Sequence, residues 1–105
     1  MSRRYAARVD GNHEEIVTGL RKLGVWAWST AALGDGFPDV LAWWAGCFTL
    51  LEIKDPTQVP SKRRLNEREQ AFFDTCPGRK AVVETLNQAL VAIGHPARRI
   101  ARALQ

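Results

Sequence analysis

Pro38-Asp39-Val40-Leu41-Ala42-Trp43-Trp44-Ala45-Gly46-Cys47-Phe48-Thr49-Leu50-Leu51-Glu52-Ile53-Lys54 is the stretch that decides how this chain folds. Two runs rich in aliphatic, β-branched and aromatic residues, Val40 to Trp44 and Phe48 to Lys54, are separated by Ala45-Gly46-Cys47, the pattern of a β-hairpin. With an even loop centred on Ala45-Gly46, Trp44 faces Cys47, and counting down the ladder sets Asp39 directly opposite Glu52. Opposed residues share a face, with Cβ atoms roughly 4.5–5.5 Å apart. Lys54, two residues beyond Glu52, emerges on the same face because side chains alternate along a strand. Two carboxylates this close repel unless a cation lies between them or one holds a proton. A hard divalent ion with oxygen ligands, Mg²⁺ above all, meets that need. An odd loop without a bulge would set Asp39 opposite Ile53 and dissolve the arrangement.

Working outward, both faces of the hairpin are apolar. Leu41, Trp43, Phe48 and Leu50 accompany Asp39, while Val40, Ala42, Trp44, Leu51 and Ile53 take the other side. Strands buried on both faces need helices above and below, which predicts a three-layer α/β (αβα) fold. Upstream, Thr30 to Phe37 is a loop whose glycines let the chain turn sharply into Asp39, and Val25 to Ser29 is a short strand. From Asp10 to Leu23, Ile16, Val17, Leu20 and Leu23 recur at helical spacing until Gly24 stops the run. Asn12 with Glu15 has the spacing of a capping box. His13 extends the apolar stripe of that helix by one turn, with Asp10 three residues earlier. These two either border the carboxylate site or, for a lone histidine on an apolar face, serve the core.

Downstream, Asp55 to Leu65 reads as an exposed loop carrying Lys62, Arg63 and Arg64. It is either a solvated surface or a grip for phosphates beside the proposed site. Asn66 with Glu69 makes a second capping box, opening a helix to Thr75 that Pro77-Gly78 ends. Ala81 to Glu84 is a last strand and Leu86 to Ile93 a helix stopped at Gly94. Ala97 to Leu104 forms a solvated helix or a second basic patch.

At 105 residues the chain has room for one domain with a modest core, and 46% hydrophobic with 25% charged residues is ordinary for a soluble globular protein, so disorder is not the default. Residues 1–9 read as a flexible basic arm and 10–105 as the single domain. Fifteen basic residues against eleven acidic ones, a net charge of +4, favour a polyanionic partner. Cys47 and Cys76 lack metal-ligand spacing, which argues against a disulfide framework or zinc site. No apolar run approaches ~18 residues, so no membrane span is expected. A reducing, cytoplasmic setting fits.

The order helix, strand, hairpin, helix, strand, helix, with Gly36-Phe37-Pro38-Asp39 and Leu51-Glu52-Ile53-Lys54-Asp55 on the hairpin, resembles the PD-(D/E)XK nuclease superfamily. With Pro60-Ser61-Lys62-Arg63-Arg64-Leu65 and Glu69-Gln70-Ala71-Phe72 following in order, it is most similar to the small phage-type VRR-NUC nucleases, which are similar in turn to Holliday-junction resolvases. The resemblance spans roughly Asp10 to Gly94. It implies a restriction-endonuclease-like core of order α-β-β-β-α-β-α around a mixed sheet, in a homodimer encoded by a bacterium or phage. It further implies a Mg²⁺-dependent, structure-selective endodeoxyribonuclease, with Mn²⁺ able to substitute and branched or structured DNA as partner. Asp39 and Glu52 would bind the metal, joined by the Ile53 carbonyl and by one of Asp10, His13 or Glu15. Lys54 would position or activate the attacking water, and Gln70 would line the site. Lys62, Arg63 and Arg64 would contact DNA. The competing expectation is a catalytically silent nucleic-acid-binding module of the same fold.

Overall fold

The hairpin turn forms at Ala45-Gly46 in the computed structural model, which describes residues 11–99. Both turn residues take positive φ, 51° and 85°, the left-handed pair of a type I′ turn whose twist matches that of the flanking strands. The turn sets the register: β2 (Val40–Trp44) pairs antiparallel with β3 (Cys47–Ile53) through Trp44↔Cys47, Trp43↔Phe48, Ala42↔Thr49, Leu41↔Leu50 and Val40↔Leu51. The even-loop reading is thereby met along the whole of β2.

β1 (Trp26–Ser29) adds antiparallel to β2, and β4 (Lys80–Val83) adds parallel to β3, giving a mixed four-stranded sheet of order β1-β2-β3-β4. Among the described residues the helices are α1 (His13–Lys22), α2 (Glu67–Thr75) and α3 (Leu86–Ile93), and the elements follow one another as α1-β1-β2-β3-α2-β4-α3. Residues 31–33 and 60–63 form short 3₁₀ turns.

One sheet face carries the core. Ile16, Val17 and Leu20 from α1 and Ala89, Leu90 and Ile93 from α3 bury against Ala27, Val40, Ala42, Leu51, Ile53 and Val83. Burying these side chains stabilises the fold by about 1.5–3 kcal/mol for each large aliphatic group. The other face differs from the two-sided burial expected of the hairpin. Because β3 and β4 run parallel, the chain between them must cross over. Its helix α2 reaches this face only at one end, where Phe37 and Phe72 meet edge to face at 5.0 Å. Trp26, Trp28, Trp43 and Phe48 remain exposed on it. Among the described residues a single nine-residue helix lies on this face, too short to cover four strands, so the second outer layer of the expected αβα sandwich is partial there.

Two close contacts position the elements around the end of the sheet that α2 reaches. Asn12 places no side-chain cap on α1, contrary to the capping box expected with Glu15. Its Nδ2 instead donates to the carbonyls of Lys54 (3.0 Å) and Glu84 (2.8 Å), tying the start of α1 to the ends of β3 and β4. Gly36, at φ 84°, lies so close to α2 that an added Cβ would sit 2.5 Å from the Arg68 carbonyl oxygen. The loop entering Asp39 is thus clamped against the helix that carries Glu69.

The expected arm 1–9 and Asp10 lie outside the described residues, as do 100–105. Residues 97–99 are not helical, and the rest of the expected Ala97–Leu104 helix lies outside that range. Among the described residues, no helix is long and apolar enough to cross a membrane.

Ala45 is an alanine where a type I′ turn favours asparagine. Ala45→Asn is expected to raise unfolding stability by about 0.5–1 kcal/mol, and Ala45→Val to lower it by about 1 kcal/mol or more, because a β-branched side chain resists the left-handed region. Urea denaturation of the three proteins checks this.

Candidate active site

The β2–β3 ladder is regular down to Val40↔Leu51 and then changes. Pro38 has no N–H to offer, and its carbonyl accepts the Thr30 hydroxyl at 2.7 Å. The Asp39 N–H donates to the Leu51 carbonyl at 2.9 Å, so Asp39 and Val40 both address one residue of β3, as in a β-bulge. The Asp39 carboxylate then accepts the Ile53 N–H through Oδ2 at 2.8 Å, standing in for the backbone acceptor that a regular ladder would supply. Direct opposition of Asp39 and Glu52 is therefore corrected: Asp39 is displaced by a step and approaches Glu52 from the side. The Ile53 carbonyl leaves its strand on the same side as the Ile53 N–H, toward Asp39.

Glu52 and Lys54 project from the face opposite the core, at the end covered by α2, and are 3% and 9% exposed. The Lys54 ammonium lies 3.4 Å from Glu52 Oε2 and 2.8 Å from Glu69 Oε1. Glu69 is the residue that the capping pattern concealed. Its Oε1 closes the expected capping box by accepting the Asn66 N–H at 2.9 Å, while Asn66 accepts the Glu69 N–H. The same oxygen receives Lys54. Gln70, the neighbour expected to line the site, is exposed and donates to Asp74 Oδ1 at 2.9 Å. Successive helix residues are turned by about 100°, so α2 can aim only one of the pair at Lys54.

Charge explains the protonation of this cluster. Burial, with the Asp39 and Glu69 carboxylates beside it, pushes the Glu52 carboxyl up from an ordinary value near 4.5 to about 9. Burial alone would lower Lys54, but its hydrogen bond to Glu69 and the charge of Glu52 outweigh that and raise it. Burial alone would raise Glu69, yet the Lys54 and Asn66 hydrogen bonds bring it below the usual carboxylate range. Three carboxylates, Asp39, Glu52 and Glu69, cluster with one ammonium, which pairs with Glu52 and Glu69. Fully ionised, the cluster lacks two positive charges, and Glu52 answers by keeping a proton.

That deficit, in a cluster of oxygen donors without sulfur, suits one hard divalent cation. No group of three or more His, Cys, Asp or Glu side chains is arranged to hold a metal among the described residues. Two carboxylates and a backbone carbonyl match the sparser demand of Mg²⁺, which retains waters and is completed by substrate phosphates.

The other expected ligands lie elsewhere. His13 is buried on the core side of the sheet, its Nε2 3.0 Å from Ser29 Oγ, and it lines a separate cavity of about 290 Å³ with Glu14, Arg21 and Ser29. The sheet separates it from Glu52. Glu15 is exposed on α1. Of the basic loop, Lys62 and Arg64 are exposed, whereas Arg63 is half-buried with Nη1 3.9 Å from Glu84 Oε2. Arg63 thus ties the loop to the end of β4.

Comparison of the chain with models of known protein families, with characterised proteins and with solved structures returns no match.

A carboxyl that keeps its proton in the fold but loses it on unfolding makes the native state bind more protons between the two pKa values, so stability falls as pH rises there. In EDTA, the urea midpoint is expected to decline from about pH 5 to about pH 9, the window set by Glu52. Glu52→Gln, which cannot ionise, should flatten the decline. Added Mg²⁺ should raise the wild-type midpoint more at the alkaline end, where it competes with less proton. A flat wild-type profile would contradict the assignment.

Proposed function

We propose that this chain is a Mg²⁺-dependent endodeoxyribonuclease of the PD-(D/E)XK kind, with a VRR-NUC-like, restriction-endonuclease-like core acting on branched or structured DNA. The observation carrying this reading is the convergence of Asp39, Glu52 and Lys54 at one end of the hairpin, where Glu69 joins them and three carboxylates with one ammonium are short of two positive charges. A phosphodiester is an anion, and a site that holds an ammonium among carboxylates needs a metal before it can accept one. Magnesium, when bound, supplies neutralising charge, polarisation of the phosphoryl group and an acidified water.

The protein residues take complementary parts. Asp39 and Glu52 provide the anionic oxygens, with Asp39 oriented by the Ile53 N–H. The Ile53 carbonyl offers a neutral oxygen beside them. Lys54, whose proton is held firmly, acts as a cation and donor rather than a base, placing the nucleophile and offsetting charge on the reacting phosphoryl group. Glu69 restrains the ammonium and is a positioning residue. Lys62 and Arg64, exposed beyond the end of β3, are available to flanking phosphates. A two-fold pair of chains would address the symmetric scissile sites of a junction.

A second reading, a non-cleaving DNA-binding module, draws on one observation: Lys54 is already engaged by two carboxylates. Incubation with a four-way junction, duplex and single strands, with and without Mg²⁺, separates the two. Metal-dependent cleavage is expected, with Asp39→Asn and Lys54→Met each lowering the rate by about 10²-fold or more. Cleavage that persists in EDTA or in Asp39→Asn would overturn the nuclease mechanism, and binding without cleavage would favour the second reading.

A further inference from the structure

The open face of the sheet is ordered in three rows. Cross-strand partners place Trp26, Trp43 and Phe48 in the first, Trp28, Leu41, Leu50 and Lys80 in the second, and Glu52 with Val82 in the third, beside Asp39. Rows two residues apart along a strand are separated by roughly 7 Å. Chemistry thus lies at one end of a continuous face and aromatic rings at the other, about 13 Å away.

The rings are not core residues at the margin. Trp26, Trp28, Trp43 and Phe48 are 48%, 56%, 40% and 51% exposed. Trp43 and Phe48 meet at 4.8 Å with planes at 62°, and Trp26 and Phe48 at 6.2 Å with planes at 75°. Trp26, Trp43 and Phe48 line a shallow concavity of about 430 Å³. A flat apolar ligand can stack against such rings.

The charges beside the rings select the occupant. The Arg21 guanidinium lies 5.3 Å from the centre of the Trp28 ring, and Lys80 closes the second row. Neither aromatic row contains a carboxylate. A second copy laid on this face would bring no carboxylate from either aromatic row to answer these cations, and it would cover the row that carries Glu52. A polyanion with planar apolar groups satisfies both the cations and the rings.

We infer that this face is a stacking platform for an unpaired stretch of the DNA substrate, so that the preferred substrate carries a single-stranded segment beside the scissile phosphate. The inference rests on the nuclease reading above for the identity of the substrate. The span of about 13 Å from rings to carboxylates corresponds to about four nucleotides of a stacked strand. Cleavage is then directed near the boundary between paired and unpaired DNA.

The test measures binding apart from turnover. In EDTA, fluorescence anisotropy compares a blunt duplex with the same duplex bearing a single-stranded tail, while tryptophan emission follows the protein. The tailed DNA should bind more tightly and quench the emission. Trp43→Ala and Phe48→Ala should each lower the ratio of tailed to blunt affinity about tenfold, because each removes a stacking surface. Exposed side chains at these positions should leave thermal unfolding of the variants close to wild type, and Trp43→Phe, which keeps a ring, should restore most of the ratio. Equal affinity for both DNAs, or a ratio indifferent to the alanine variants, overturns the platform. So does sedimentation showing a dimer that the same variants dissociate, which would give the face to a second copy. If tailed DNA binds and quenches as expected but nothing is cut in Mg²⁺, the nuclease reading fails and the platform stands. If both DNAs are cut alike by wild type and variants, the reverse holds.

Discussion

The Lys54 ammonium, held between Glu52 and Glu69, is the interaction on which the end of the sheet beneath α2 depends. A lysine buried to this degree costs free energy unless anions surround it, and the anions come from two elements distant in sequence. Glu52 is two residues earlier, in β3, which ends one residue before Lys54. Glu69 arrives only because the crossover between parallel strands returns the chain over the sheet as α2. The ion pair thereby couples the backbone path of the crossover to the protonation of a carboxylate. Glu52 keeps its proton because one ammonium cannot answer three acids in a desolvated place.

The same crossover explains the asymmetry of the molecule. α1 and α3 pack side by side on one face and complete a core of aliphatic side chains. On the other face α2 covers the acids and leaves the tryptophans bare. Desolvation is therefore concentrated where it raises the cost of charge, and exposure where it leaves rings accessible. Both conditions lie on one surface because strand alternation sends Glu52, Leu50 and Phe48 the same way.

Several readings of individual residues changed for reasons local to the backbone. Asp39 was expected in the ladder, but Pro38 cannot extend a ladder, and the carboxylate itself took the Ile53 N–H. Asn12 and Asn66 carry the same capping pattern with Glu15 and Glu69. Asn66 caps, whereas Asn12 spends its amide on two strand-end carbonyls that fold up against it. Gln70 and Glu69 exchange importance because helix phase allows one of them to face Lys54. His13 continues an apolar stripe, as its spacing indicated, and that stripe faces the side of the sheet away from the acids.

By itself the sequence determined whatever depends on short-range geometry. The turn residues Ala45-Gly46 set the hairpin register, the register and two-residue alternation put Glu52 and Lys54 on one face, and the Asn66–Glu69 spacing opened α2. These follow from fixed chain periods and need no knowledge of distant residues. Only the tertiary structure decided which distant groups meet: Glu69 rather than Gln70 at Lys54, His13 beyond the sheet from Glu52, and one sheet face left with its tryptophans exposed. Such meetings depend on where the crossover lies and how much surface a nine-residue helix can cover, and neither quantity is written in any local pattern of residues.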